Sequence, residues 1–258
     1  NIQYVKWDMN RNMTEIGSAA LPPDRQRETA HRYILGLYRM LERLTQKFPD
    51  ILFESCSGGG GRFDPGMLYY MPQTWTSDDS DAIERLKIQY GTSMVYPAIS
   101  MGAHVSAVPN HQVQRVTPLK TRGDVAMSGN LGYELDLTKL PEAELAEISR
   151  QVEAYKKLRE TVQFGDLYRL ESPFSSGGAA WMYRSEDRRR IFVMKATVLA
   201  AANQANSRLK LQGLEDSAIY RCMETKERYS GAELMYAGLI VPPAKHDFET
   251  WTWQFEKE

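Results

Sequence analysis

The sequence predicts an α/β region followed by an all-β region. Three observations carry that reading. Strand-like apolar runs alternate with helical patterns as far as about residue 164. Polar and glycine-rich residues gather where those strands end. Beyond residue 165 the runs become short and alternating, separated by Gly, Asn, Asp and Ser, as in antiparallel strands.

Taken in order, "IQYVKW" (2–7) reads as a short buried strand running into Asp8. After Pro22 and Pro23, the stretch 24–48 places Tyr33, Ile34, Leu37, Tyr38, Leu41 and Leu44 at helical spacing, with Asp24 as its expected cap. "ILFES" (51–55) is a second strand, and the following "CSGGGGRFDPG" excludes regular structure. A strand or loop near 70–77 leads to a helix over 78–91 that opens with acids. Segments 94–106 and 123–136 each read as strand and loop, and 140–162 as a long helix with Pro141 near its start, cladding the sheet. This makes about four to five β/α units against the eight of a closed barrel. The later runs "AAWMYRS", "RRRIFVMKATVL", "SRLKLQGL", "SAIYRCM" and "TWTWQFEK" predict a second domain. The expected domains are therefore 1–164 and 165–258. In "FETWTWQF", alternation puts Phe248, Trp251, Trp253 and Phe255 into a buried aromatic stripe.

Composition narrows the function classes. Of 258 residues, 42% are hydrophobic and 25% charged, and the formal net charge of -1 gives no argument for nucleic acid or acidic partners. Two distant cysteines, Cys56 and Cys222, make no disulfide framework and agree with a reducing, cytoplasmic compartment. No apolar run approaches the ~20 residues of a membrane span, and Lys6 and Asp8 interrupt any secretory signal. Cys and His never occur at metal-ligand spacing, and neither a P-loop nor a dinucleotide fingerprint fits, so no cofactor is expected. The chain starts without Met inside a strand, as an incomplete domain would.

Asp8 reads either as a strand-end turn residue or as a reactive carboxylate. In a regular strand Lys6 and Asp8 point the same way, and an ammonium nearby keeps a carboxylate ionised. Asn10 and Arg11 add polar groups to the same short loop. Four consecutive glycines after Cys56 cost backbone entropy and make sense where the chain must approach a ligand closely. "TWTSDDSD" (74–81) offers Asp78, Asp79 and Asp81 around a helix start, beside Trp75, and at least one of them serves as cap. Two carboxylates from different strand ends, each beside aromatics, are the minimum for cleaving a glycosidic bond. His104 and His111 read as structural loop histidines at least as readily as pocket-mouth residues, and Glu134 as a group that orients its neighbours or satisfies backbone donors, not as a catalytic one.

The motifs "YVKWDMNR", "ESCSGGGGRFD", "WTSDDSDAIERLKIQYG", "YPAISMGAHVSAVPNHQ" and "GNLGYELD", with "FGDLYRL" and "YSGAELMYAGL" further on, resemble the bacterial α-galactosidases of glycoside hydrolase family 36. The resemblance implies the C-terminal part of a (β/α)₈ TIM barrel, entered at strand four, followed by a small antiparallel β-sandwich domain. It implies a retaining enzyme that releases terminal α-1,6-linked galactose from melibiose, raffinose or stachyose. On that pattern Asp8 is the nucleophile and Asp78 the acid/base. Lys6 bonds sugar hydroxyls, Cys56 and Gly59 lie near O2 with Ser57 beside them, and Arg62 is expected near the acid/base. Asn10 and Trp75 complete the expected substrate contacts.

Family members also draw acidic residues and a tryptophan from earlier barrel strands. The chain is accordingly expected to be weakly active or inactive alone, and to associate with itself or with a missing N-terminal half. A non-catalytic carbohydrate-binding or assembly fragment is the alternative outside catalysis. Replacing either carboxylate by Asn separates it from an enzyme. An α-N-acetylgalactosaminidase is the alternative within catalysis, although a bulkier group at O2 would collide with the cysteine-bearing loop.

Overall fold

Residues 2–11 and 13–258 are described in the computed structural model. The chain divides into two compact units, Asn1–Asp78 and Asp79–Glu258.

In the first unit, strands β1 (Tyr4–Asp8), β2 (Leu52–Cys56) and β3 (Gln73–Trp75) lie side by side in chain order, all parallel. Parallel neighbours need a crossover, and helices α1 (Thr29–Lys47) and α2 (Pro65–Tyr70) belong to these connections. Leu37 and Leu41 of α1, Met67 of α2, Met71 and Phe53 form the core, with Val5 and Trp7 packed against it.

Three expectations change here. The segment Pro23–Glu28 winds as a 3₁₀ turn before α1, so Asp24 lies inside that turn and caps nothing. Helix α2, six residues long, is too short to show a period. Its signals are Pro65 at the first turn and Asp64, whose Oδ1 accepts from the Met67 N–H at 2.9 Å. Strand β1 is only half-buried: Tyr4, Lys6 and Asp8 are exposed, while Val5 and Trp7 are partly covered. Helices cover one face of this strand and leave the other open, so apolar composition alone overstated its burial.

The second unit opens with α3 (Ala82–Thr92), β4 (Met101–Ser106), α4 (Leu119–Ala126), β5 (Asn130–Glu134) and α5 (Glu142–Phe164), with β4 and β5 parallel. Helix α4 takes up the start of segment 123–136, which was expected to open as a strand; the strand begins only at Asn130. Leu119 and every residue from Thr121 to Ala126 are buried, so no amphipathic stripe marks the helix. Gly123 fits Gln151 so closely that a Cβ would stand 2.4 Å from the amide.

The rest of the second unit is antiparallel. Strands β6 (Asp166–Glu171), β7 (Gly178–Arg184), β8 (Arg190–Thr197), β10 (Ile219–Cys222), β11 (Arg228–Ser230) and β13 (Glu249–Lys257) form a six-stranded sheet in the order β11-β10-β13-β8-β7-β6. Strands β9 (Ser207–Leu209) and β12 (Leu239–Val241) pair as a separate ribbon. One face of the large sheet (Ala179, Trp181, Tyr183, Phe192, Met194) packs on Leu158 and Val162 of α5. The other face (Ala180, Met182, Ile191, Val193) packs on Leu209, Leu239 and Val241 of the ribbon. With both faces covered, β7 and β8 are buried almost continuously, where alternation with a polar face was expected. Trp251, Trp253 and Phe255 share the ribbon side as expected, but Phe248 takes a positive φ of 60° and packs into the opposite cluster.

Candidate active site

In the first unit, register builds one polar face. Parallel pairing sets Lys6 beside Glu54 and Asp8 beside Cys56, and Glu54 beside Gln73 on the next strand. Since side chains alternate along a strand, Tyr4, Lys6 and Asp8, Glu54 and Cys56, and Gln73 and Trp75 all point the same way. The contacts agree. The Lys6 ammonium lies 5.1 Å from the centre of the Trp75 ring, and Tyr4 Oη donates to Glu54. Trp7, expected beside Asp8, points the other way into the helix-covered core.

Asp8 stands exposed at the C-terminal end of β1, where parallel α/β folds keep their chemistry. Asn10 Nδ2 donates to its Oδ2 at 2.8 Å. This bond, followed by one from the Cys56 thiol, the Lys6 ammonium and the Met9 N–H, holds the Asp8 carboxyl below the usual carboxylate range. The same environment works against Cys56 as a nucleophile, because burial and the Asp8 charge push its thiol up to about 11.

The loop after β2 ties to the segment that follows β1. Ser57 Oγ donates to Met9 O at 2.6 Å, the Gly58 N–H donates to Asn10 Oδ1 at 2.6 Å, and the Arg62 guanidinium meets Met9 Sδ. Arg62, expected near the acid/base, thus braces the Asp8 loop. The glycine run serves close approach, but to the protein's own backbone. A Cβ on Gly59, at φ +78°, would stand 2.5 Å from Ser77 Cα and 2.8 Å from Asp78 N, and one on Gly60 would stand 2.8 Å from Thr76 O. The loop therefore touches the Asp8 segment on one side and the exposed Asp78 on the other. Both carboxylates come to one rim of the sheet.

In the second unit Asp81 is the helix cap, its Oδ2 accepting from the N–H groups of Ile83 and Glu84, each at 3.1 Å, and pairing with Arg115. Asp79 Oδ1 accepts from the Asp81 N–H at 3.0 Å. Of the three acids, the capping reading holds for Asp81. His104 lies on β4, not in a loop, with Nδ1 3.2 Å from Glu134 Oε2. No group of three or more His, Cys, Asp and Glu able to hold a metal occurs among the described residues, and no described helix is long and apolar enough to cross a membrane.

Glu54 was missed by sequence reasoning. It is fully buried, and its Oε2 accepts from Tyr4 Oη and from Gln73 Nε2, the latter at 2.6 Å. The available signal was its place two residues before Cys56 in a strand, which puts both on one face.

Comparison with known proteins follows this geometry. The Melibiase family model matches residues 1–165, and the model of the glycosyl hydrolase family 36 C-terminal domain matches 178–255. The chain is 63% identical over 255 residues to alpha-galactosidase AgaA of Geobacillus stearothermophilus, covering 99% of this chain and 35% of that protein. It is 50% identical to alpha-galactosidase 1 of Pediococcus pentosaceus, with the same coverage of each. It thus spans about a third of the length of the curated relatives it matches. The crystal structure of a variant of the Geobacillus stearothermophilus enzyme with raffinose superposes with a TM-score of 0.97 at 62% identity, covering 100% of this chain and 36% of that one. Another variant of that enzyme, with stachyose, matches equally well, at a TM-score of 0.97, 62% identity and the same coverage of 100% and 36%. The fold is therefore part of a TIM barrel followed by a C-terminal β domain. An α/β rim with two carboxylates, family models across most of the chain and this structural agreement converge: the chain belongs to the Melibiase family, glycoside hydrolase family 36.

Proposed function

We propose that the rim of the first unit hydrolyses terminal α-galactosides, with retention of configuration, by double displacement. The observation that carries this is Asp8: an exposed carboxylate at a strand end, held ionised by Asn10, Cys56 and Lys6. An ionised, accessible carboxylate is what attack on an anomeric carbon requires. Asp8 Oδ attacks C1 while Asp78 protonates the departing glycosidic oxygen, leaving a β-galactosyl ester on Asp8. Asp78, now a carboxylate, takes a proton from water as that water attacks C1, and Asp8 departs as the free carboxylate.

Lys6 and Asn10 bond sugar hydroxyls, Cys56, Ser57 and Gly59 line the O2 side, Trp75 carries Lys6, and Arg62 fixes the Asp8 loop. Relatives named as alpha-galactosidases, and their complexes with raffinose and stachyose, support α-1,6-galactosides as substrates. The domain division 1–164 and 165–258 is part of the same proposal, supported by family models that cover 1–165 and 178–255. So are a cytoplasmic location and association with further protein. The latter is supported by an open apolar cleft of about 850 Å³ along Val5, Trp7, Leu44 and Phe53.

The test is hydrolysis of an aryl α-galactoside by the full-length protein, followed by NMR from the first turnover. α-Galactose appearing before mutarotation supports retention at this site. β-Galactose as first product, or hydrolysis that survives Asp8→Asn, overturns it.

A further inference from the structure

The Lys6 ammonium lies over Trp75, which is two strands away on β3. Neighbouring strands are about 4.8 Å apart, so the Lys6 and Trp75 side chains lean toward each other and meet over β2. The residue of β2 in register with Lys6 is Glu54, on the same face. Glu54 is fully buried, and its two oxygens differ. Oε2 is fixed from both sides by Tyr4 and Gln73. Oε1 is also buried and has no hydrogen-bond partner among the described residues. A buried carboxylate oxygen without a donor is costly, and carboxylates so deeply buried are paired in folded proteins. On this face the groups around Lys6 are Tyr4 and Asp8 on its own strand, Glu54 and Cys56 on β2, and Gln73 and Trp75 on β3. Lys6 is the one cation among them. Burial and the Glu54 carboxylate push the Tyr4 phenol up, so Tyr4 stays a donor and keeps Oε2 occupied.

We propose that Glu54 is a positioning residue whose free oxygen Oε1 receives the Lys6 ammonium, fixing it where it holds the sugar hydroxyls. Tyr4 and Gln73 aim the carboxylate, Glu54 aims Lys6, and Lys6 aims the sugar at Asp8. This rests on the reading of the rim as an α-galactoside site.

The experiment is a double-mutant cycle in the full-length protein, Glu54→Gln against Lys6→Met, read as kcat and KM on an aryl α-galactoside. Gln keeps an acceptor for Tyr4 and Gln73 but loses the charge. The expected result is a KM raised at least tenfold by Glu54→Gln with kcat within threefold, and no further rise when it is added to Lys6→Met. Equal KM in a folded Glu54→Gln variant, or additive losses in the cycle, overturns the role of Glu54 and leaves the proposed activity standing. A wild-type protein without hydrolysis overturns both. Should Glu54→Gln not fold, a crystal structure of the wild type with bound galactose decides: Lys6 Nζ within about 3.2 Å of Oε1 supports the proposal, and beyond 4 Å overturns it.

Discussion

Strands β1 and β7 contain similar residues and meet opposite fates. "YVKWD" is covered on one face by α1 and α2 and open on the other, whereas in "GAAWMYR" every residue but the last is buried. Each has one tryptophan. Trp181 is 3% exposed and donates from Nε1 to Ser128 Oγ at 2.6 Å, while Trp7 is only partly covered. A strand buried on both faces contributes packing and can hold no accessible charge. A strand buried on one face leaves a surface on which Lys6 and Asp8 stay solvated and accessible. On the proposed reading of the site, packing and chemistry fall to different strands.

Substitutions on the two strands test this division. Asp8→Asn is expected to cost on the order of 10³-fold or more in hydrolysis of an aryl α-galactoside. Its denaturation midpoint should fall only slightly, because the exposed carboxylate is held by the Asn10 hydrogen bond and its neighbours rather than by packing. A large loss of stability would show that β1 carries structural weight after all. On the other strand, Trp181→Ala is expected to cost about 3–5 kcal/mol in denaturant unfolding, by removing a fully packed ring. Trp7→Ala should cost clearly less, and equal costs would erase the contrast.

Within the glycine run a smaller difference is expected. Both Gly58 and Gly59 have positive φ, but a Cβ on Gly58 meets open space and one on Gly59 meets Ser77 Cα at 2.5 Å. Gly58→Ala should cost roughly 1 kcal/mol of backbone strain. Gly59→Ala adds a backbone clash, so it should be the less stable of the two and should lower kcat by moving Asp78. Matching melting curves would argue that the loop gives way freely.

The smallest effect concerns pH. The Asn10 hydrogen bond is the first cause of the lowered Asp8 pKa. A carboxyl lowered in the folded state contributes stability above its unfolded pKa, and that contribution disappears as pH falls through the folded value. In Asn10→Ala the folded value rises toward the ordinary one, so the acidic limb of kcat/KM should move to higher pH. An unmoved limb would assign it to another group.

How much of this was legible in the sequence depends on the range of the interaction. Local patterns survive in one dimension: the apolar period in α1, the acids before α3, the alternation in β13 and the change of character near residue 165 were all readable. The motifs that carry Asp8, Asp78 and the cysteine loop were visible too, because each is contiguous. What the chain alone left open depended on which neighbours arrive. Burial of β1 and β7 is set by the number of faces that other elements cover, which composition does not encode. Helices α2 and α4 were hidden because one is short and the other is buried all round, so neither shows a stripe. The glycines' true partner, the backbone of Thr76–Asp78, follows from loop packing, and the place of Glu54 beside Lys6 from strand register. Register joins residues far apart in the chain, 19 positions for Glu54 and Gln73 and 48 for Lys6 and Glu54, and only the folded sheet fixes it.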